Sequence, residues 1–186
     1  MTAQQRVHWD EKYRAKKTEP YPHPDPLLFE FTPPIMDEAE HRALDLASGV
    51  GQNGLWLAAQ GYVVDLIDIS RVALLRAQVE MGARGLRNVN LYPSDLDSHE
   101  FVQNQYEVIC VFRYLQRDLF PGLRNAVAPG GRIIYETFNQ RYLQTAPDFN
   151  PDYLLGQGEL AGFFADWRIL HHREGKQISQ LVAVKP

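Results

Sequence analysis

Cysteine is almost absent from this 186-residue chain, where Cys110 stands alone. No intrachain disulfide can form, and no zinc site built on cysteines exists. A surplus of positive charge is missing as well. Lys and Arg number 19 against 23 Asp and Glu, a net charge of −4. That balance leaves no electrostatic footprint for a phosphate backbone, so nucleic acid is not expected as a partner. Long hydrophobic runs are lacking too. The longest are of strand length, well short of the ~20 residues needed to span a bilayer. The opening residues, MTAQQRVHWDEKYRAKK, are polar and contain no hydrophobic signal region. Together these absences predict a cytoplasmic protein with no membrane partner; they say nothing of oligomeric state. Repeats and low-complexity tracts are also missing.

What is present is an ordinary globular composition, 45% apolar and 23% charged, at a length that suits one core. The reading is a single domain, 1–186, with an N-terminal helical and proline-rich cover over 1–40 and a core over 41–186. Residues 4–17 read as a polar helix with Val7, Trp9 and Tyr13 as apolar anchors. Pro20, Pro22, Pro24 and Pro26 then exclude regular helix. Residues 27–38 read as a short helix or irregular cover. With Trp9, Tyr13 and Tyr21 ahead of the core, the segment is either surface packing or a lid.

From residue 42 strands and helices alternate. Strands are expected at 42–47, 62–68, 88–92, 106–112 and 132–138. Helices are expected at 51–60, ending at Gly61, and after Ser70, whose side chain suits an N-cap. In that second helix Val72, Leu75 and Val79 form the apolar face, and Gly85 is the stop. A short helix is expected near 97–104. The next carries Leu115, Leu119, Leu123 and Ala126 and ends at Pro129-Gly130-Gly131. After a further helix at 153–164, WRILHHRE and ISQLVAVK lie close enough around Gly175 to pair as a hairpin. The fold class is therefore α/β: a Rossmann-like, doubly wound, mostly parallel seven-stranded sheet with an antiparallel strand from the C-terminal hairpin.

The segment ALDLASGVGQNG, 43–54, holds the most specific chemistry. Gly49, Gly51 and Gly54 stand at G-x-G-x-x-G spacing between a strand and a helix. Such a turn brings backbone N–H groups close to a ligand. Asp68 lies 19 residues past Gly49, at the end of the second strand, where a carboxylate accepts hydrogen bonds from ribose hydroxyls. Asp45 lies just before the loop. A carboxylate there repels the pyrophosphate of a nicotinamide dinucleotide and favours a cationic ligand. Asp65, in mid-strand, reads as a sheet-face residue.

DLASGVGQNG, VDLIDISRVALLRA, SDLDS, YEVICVFRYLQRDLFPGL and PGGRIIYETF together resemble the class I S-adenosylmethionine-dependent methyltransferases, from about residue 40 to the C-terminus. The short length, the WDEKY start and the YETF strand are most similar to small bacterial enzymes related to the tellurite-resistance and thiopurine methyltransferases. The resemblance implies S-adenosylmethionine as cofactor and S-adenosylhomocysteine as product. It places Asp45, Ala47, Ser48, Gly49 and Gly51 at the methionine end, with Ala47-Ser48 standing where Gly-Cys is commoner. Asp68, Ile69 and Ser70 fall at the ribose and adenine, Asp95 and Leu96 at the adenine rim, and Phe112 and Arg113 on the sulfonium side.

The acceptor is a small molecule on this reading, a soft or anionic nucleophile. Arg113 and Tyr114 are the acceptor-side catalytic candidates. Glu136, Thr137, Tyr21 and His23 are further candidates for contact, each with an ordinary packing or surface role as its alternative. FRYL stands where amino-nucleobase methylases carry an Asn-Pro-Pro-Tyr type segment, and that position also lacks the carboxylate expected of magnesium-dependent catechol-type enzymes. His171 and His172 are adjacent in a strand and point to opposite faces, so no metal is expected. Two other functions remain open: a cofactor-binding protein without turnover, and a nicotinamide-dependent oxidoreductase.

Overall fold

In the computed structural model, which describes residues 3–186, seven strands form a mixed, mostly parallel sheet flanked by helices. The chain divides into two compact units, 1–100 and 101–186.

The first unit contains α1 (Ala3–Ala15), α2 (Pro26–Phe31), β1 (Arg42–Leu46), α3 (Gln52–Ala59), β2 (Val63–Asp68), α4 (Arg71–Ala83) and β3 (Val89–Pro93). Its strands run in the order β3-β2-β1, all parallel. Leu44, Leu46, Val64, Leu66 and Ile67 are buried, as expected of a parallel sheet covered on both faces. Asp25 caps α2 by accepting from Leu27 N, and Pro26 supplies the preset φ of a first helical residue. Ser70 caps α4, accepting from Ala73 N, and Gly85 closes it with φ +69°.

The expected apolar face of α4 is reversed. Leu75 and Val79 are 60% and 73% exposed, while Ala73, Leu74 and Ala77 are buried. Small residues let the helix approach the sheet closely, and that proximity selects the buried face over side-chain size.

The second unit contains β4 (Tyr106–Phe112), α5 (Phe120–Ala126), β5 (Val127–Phe138), α6 (Glu159–Gly162), β6 (Arg168–Glu174) and β7 (Ile178–Val184). The order is β4-β5-β7-β6. β4 and β5 are parallel, and β7 is antiparallel to both β5 and β6, which is the expected hairpin.

Three expectations are corrected here. The helix through Leu115–Ala126 starts only at Phe120, after a 3₁₀ turn at Arg117–Leu119, although all four apolar residues are buried. Its end is Ala126, and Pro129-Gly130-Gly131 bulges from β5, between the pairings Tyr106↔Val127 and Val108↔Arg132. A Cβ at Gly131 would lie 2.9 Å from Ala128 O and 3.0 Å from Glu107 O, so the bulge requires glycine there. Near 97–104 only the 3₁₀ turn Leu96–Ser98 forms, and 153–164 reduces to the turn Pro151–Tyr153 and the one-turn α6.

Candidate functional site

The loop after β1 has left-handed backbone at Ala47, Gly49 and Gly51, with φ of +52°, +56° and +82°. At Ala47 this conformation costs about 1–2 kcal/mol, because its Cβ crowds the following carbonyl. Ser48 N donates to Ile67 O (3.1 Å) and Gly51 N to Ser48 O (2.9 Å), anchoring the loop to β2 and to itself. A Cβ at Gly54 would lie 2.1 Å from Leu66 Cδ2 and 3.0 Å from Asp45 Cβ. The third glycine is thus required by close packing of α3 on the strands.

Two buried carboxylates define the loop's polarity. Asp45, 1% exposed, accepts from Gly54 N at 2.8 Å, near the N-terminal turn of α3, where helix N–H groups lack partners. Asp68, at the end of β2, accepts from Gly49 N and from Ser70 N, each at 2.8 Å. Each oxygen uses one lone pair in these bonds and keeps another for a hydroxyl donor. Burial pushes the Asp68 carboxyl above its ordinary range; the two backbone donors pull it down, and Asp10 pushes it up further.

Ser70 Oγ is already engaged, accepting from Ala73 N (3.1 Å) and donating to Asp10 Oδ1 (2.7 Å). Ile69 is half-buried beside Asp68. Asp95 accepts from Asp97 N at 3.0 Å and so caps the Leu96–Ser98 turn, where the Leu96 side chain is buried. Ser94 N donates to Asp68 O at 3.1 Å, tying this turn to the end of β2. Asp65 serves the sheet face, paired with Arg42 Nη2 (2.9 Å) and accepting from Asn90 Nδ2 (2.8 Å).

The proline-rich cover packs on the same unit. Tyr21 Oη donates to Val50 O at 2.5 Å, Asp25 N donates to Asn53 Oδ1 at 2.8 Å, and Tyr13 Oη rests against Gly49. His23 is exposed. Asp10 and Asn53 were not candidates in the sequence; the WDEKY run offered a signal for Asp10, and nothing marked Asn53.

In the second unit Phe112 is half-buried at the end of β4, and Arg113 follows it with φ +59°. Arg113 N donates to Glu136 O at 2.8 Å, and its guanidinium pairs with the Glu136 carboxylate. Gln180 Nε2 donates to the other Glu136 oxygen. Arg113, itself exposed, is thus tied to a buried acid. Tyr114 Oη donates to Gln116 Oε1 at 2.5 Å, and Tyr135 Oη donates to Tyr114 O at 2.8 Å. Thr137 is buried. His171 meets Gln180 at 3.1 Å, while His172 lies near Glu174, at 3.9 Å.

The first unit's chemistry suits an adenosyl cofactor with a cationic end. Asp45 and Asp68 are acceptors bonded to Gly54 N and Gly49 N, and Ser48 Oγ is buried without a hydrogen-bond partner among the described residues.

Residues 43–131 match the family model described as a methyltransferase domain. No curated protein matches. The fold is similar to that of TehB from Haemophilus influenzae, with a TM-score of 0.71 at 16% identity, covering 95% of this chain and 67% of that one. An S-adenosylmethionine-dependent methyltransferase from Mesorhizobium loti is similar at TM-score 0.70 and 18% identity, covering 86% and 96%. Phosphoethanolamine N-methyltransferase 2 of Haemonchus contortus, in complex with phosphomonomethylethanolamine and S-adenosylhomocysteine, is similar at 0.67 and 14% identity, covering 86% and 51%. Residues 43–131 thus match a methyltransferase domain, and the fold is similar to that of solved S-adenosylmethionine-dependent methyltransferases.

Proposed function

We propose that the protein transfers a methyl group from S-adenosylmethionine to a small-molecule acceptor, a soft or anionic nucleophile. The sequence pattern is similar to that of the small bacterial enzymes related to tellurite-resistance and thiopurine methyltransferases. The observation that carries this reading is the pair of buried carboxylates, Asp45 and Asp68, on either side of the glycine loop and hydrogen-bonded to its N–H groups. Asp68 suits ribose hydroxyls, and Asp45 beside the loop disfavours a pyrophosphate and favours an ammonium.

The roles follow residue by residue. Asp45, Ala47, Ser48, Gly49 and Gly51 hold the methionine end. Asp68, with Ile69 beside it, holds the ribose and adenine, and Ser70 acts by shaping the Asp68 carboxylate through its N–H. Asp95 and the Leu96 backbone meet the adenine rim. The sequence resemblance assigns Phe112 and Arg113 to the sulfonium side, and Arg113 and Tyr114 are the candidates for the acceptor side.

The bound cofactor supplies a methyl group on an electrophilic sulfonium. What the chain adds is orientation, a contribution that reaches ~7–11 kcal/mol in favourable cases. A thiolate or chalcogen oxyanion arrives already deprotonated and needs no base. That suits a site whose one buried candidate base among the acceptor-side residues, Glu136, is held by Arg113 and Gln180.

The test is incubation with methyl-labelled S-adenosylmethionine and a panel of thiols, selenite, tellurite, phenols and amines. The reading expects label on a thiol or chalcogen acceptor. Label on phenols alone overturns the soft-acceptor part, and no label on any acceptor from folded, cofactor-binding protein overturns the catalytic reading.

A further inference from the structure

Two hydroxyl groups at the glycine loop stand apart from the hydrogen-bonding scheme. Ser48 is 4% exposed, and its Oγ has no partner among the described residues. Tyr13 reaches the same loop from α1. A Cβ built on Gly49 would lie 2.5 Å from Tyr13 Oη and 3.3 Å from its Cζ, so the phenol rests on the space that glycine leaves open. Its ring packs on Trp9, 6.2 Å between centroids, and its hydroxyl makes no hydrogen bond within the described residues.

The position is enforced. Asp10 Oδ1, one turn earlier on α1, accepts from Ser70 Oγ (2.7 Å) and Val72 N (3.2 Å). Arg76 Nη1 and Nη2 donate to Lys16 O (3.0 Å) and Glu19 O (2.6 Å) just beyond the helix. α1 is therefore pinned to α4 on both sides of Tyr13, which fixes the helix position from which the phenol reaches the loop.

The chemistry around the loop is divided between acceptors and donors. Asp45 and Asp68 are acceptor-only groups. They suit the cofactor's ammonium and ribose hydroxyls, which are donors. The other polar group at the cofactor's amino-acid end is the carboxylate of its methionine moiety, an acceptor, and it needs donors. Tyr13 Oη and Ser48 Oγ are the unpartnered side-chain donors at this loop among the described residues. Burial, with Asp68 and Asp45 nearby, also pushes the phenol pKa up, so it keeps its proton to donate.

We propose that Tyr13 is a positioning residue for the amino-acid end of the cofactor, its hydroxyl donating a hydrogen bond to the methionine carboxylate, with Ser48 Oγ as a second donor. The inference rests on the methyltransferase reading above and adds the N-terminal helix to the cofactor site.

The experiment is calorimetric titration of the full chain and its Tyr13→Phe and Ser48→Ala variants with two probes. S-adenosylhomocysteine carries the amino-acid end; 5′-methylthioadenosine keeps the adenosine and thioether and lacks it. Tyr13→Phe retains the ring and its packing. It is expected to weaken S-adenosylhomocysteine about tenfold, the scale of one hydrogen bond to a charged group, and to change 5′-methylthioadenosine less than about twofold. Ser48→Ala is expected to follow the same pattern. Unchanged S-adenosylhomocysteine affinity in Tyr13→Phe, or equal weakening of both probes, overturns the inference and leaves the methyltransferase reading standing. A wild-type protein that binds neither probe overturns both.

Discussion

The Asp68 carboxylate at the end of β2 accepts a hydrogen bond from Gly49 N, 2.8 Å away and 19 residues earlier in the chain. With the second bond, from Ser70 N, this one side chain fixes the glycine loop, the end of β2 and the start of α4. Asp68→Asn replaces one acceptor oxygen with an amide that faces an N–H. Affinity for S-adenosylhomocysteine is expected to fall by at least about tenfold, measured by calorimetry.

Asp68 also sets a pH dependence of known sign. Its folded carboxyl titrates above the ordinary 3.8 because burial disfavours the charged form. Between the two values the folded state binds more protons than the unfolded state, so this group's contribution to stability declines as pH rises through that window. Unfolding midpoints taken from about pH 4 upward should show a shallower decline in Asp68→Asn than in wild type.

Gly54→Ala tests the packing beneath the loop. The new methyl must enter space occupied by Leu66 Cδ2 and Asp45. The expected cost is about 1–3 kcal/mol, as for other overpacked sites. Chemical denaturation measures it, and loss of cofactor affinity should accompany it because Asp45 and its bond to Gly54 N shift together.

Arg113 and Glu136 call for a double-mutant cycle. Glu136 is 2% exposed and paired with Arg113. Removing the guanidinium alone leaves a buried carboxylate supported by Gln180. Arg113→Ala is expected to destabilise by roughly 1–3 kcal/mol, below the range of a fully buried pair because the arginine side is partly exposed. Arg113→Ala/Glu136→Gln should recover most of that loss in thermal unfolding.

A second ion pair predicts acid sensitivity of the opposite sign to Asp68. Arg117 Nε and Nη2 donate to the two Glu159 oxygens at 2.6 and 3.0 Å, and Arg117 holds the Glu159 carboxyl below its ordinary range. Its stabilisation is present above the unfolded value and is lost as pH falls through the folded one. The difference in unfolding midpoint between wild type and Glu159→Gln should therefore be constant near neutrality and shrink below about pH 4.

The geometry of the glycine loop was legible in the sequence because its constraints are local: glycine spacing, a carboxylate before the loop and another at the end of the next strand. The hairpin was legible for the same reason, through two apolar runs close together around Gly175. The buried face of α4 was not. Val72, Leu75 and Val79 make the larger apolar stripe, yet Ala73, Leu74 and Ala77 face inward, a choice made by how near the helix lies to the sheet. Arg113's tie to Glu136 was hidden too, since β4 and β5 are brought into register only by the sheet. Likewise chain order does not tell that Asp10 accepts from Ser70 Oγ and Val72 N at the start of α4, 60 and 62 residues away.

The central claim is that the glycine loop with its two carboxylates holds S-adenosylmethionine. Calorimetric titration of the wild-type protein and Asp68→Ala with S-adenosylhomocysteine, with NADH as the parallel ligand, tests it most directly. The account predicts saturable binding of S-adenosylhomocysteine by wild type, its loss in Asp68→Ala, and no heat with NADH. Tight NADH binding with no response to S-adenosylhomocysteine would contradict it.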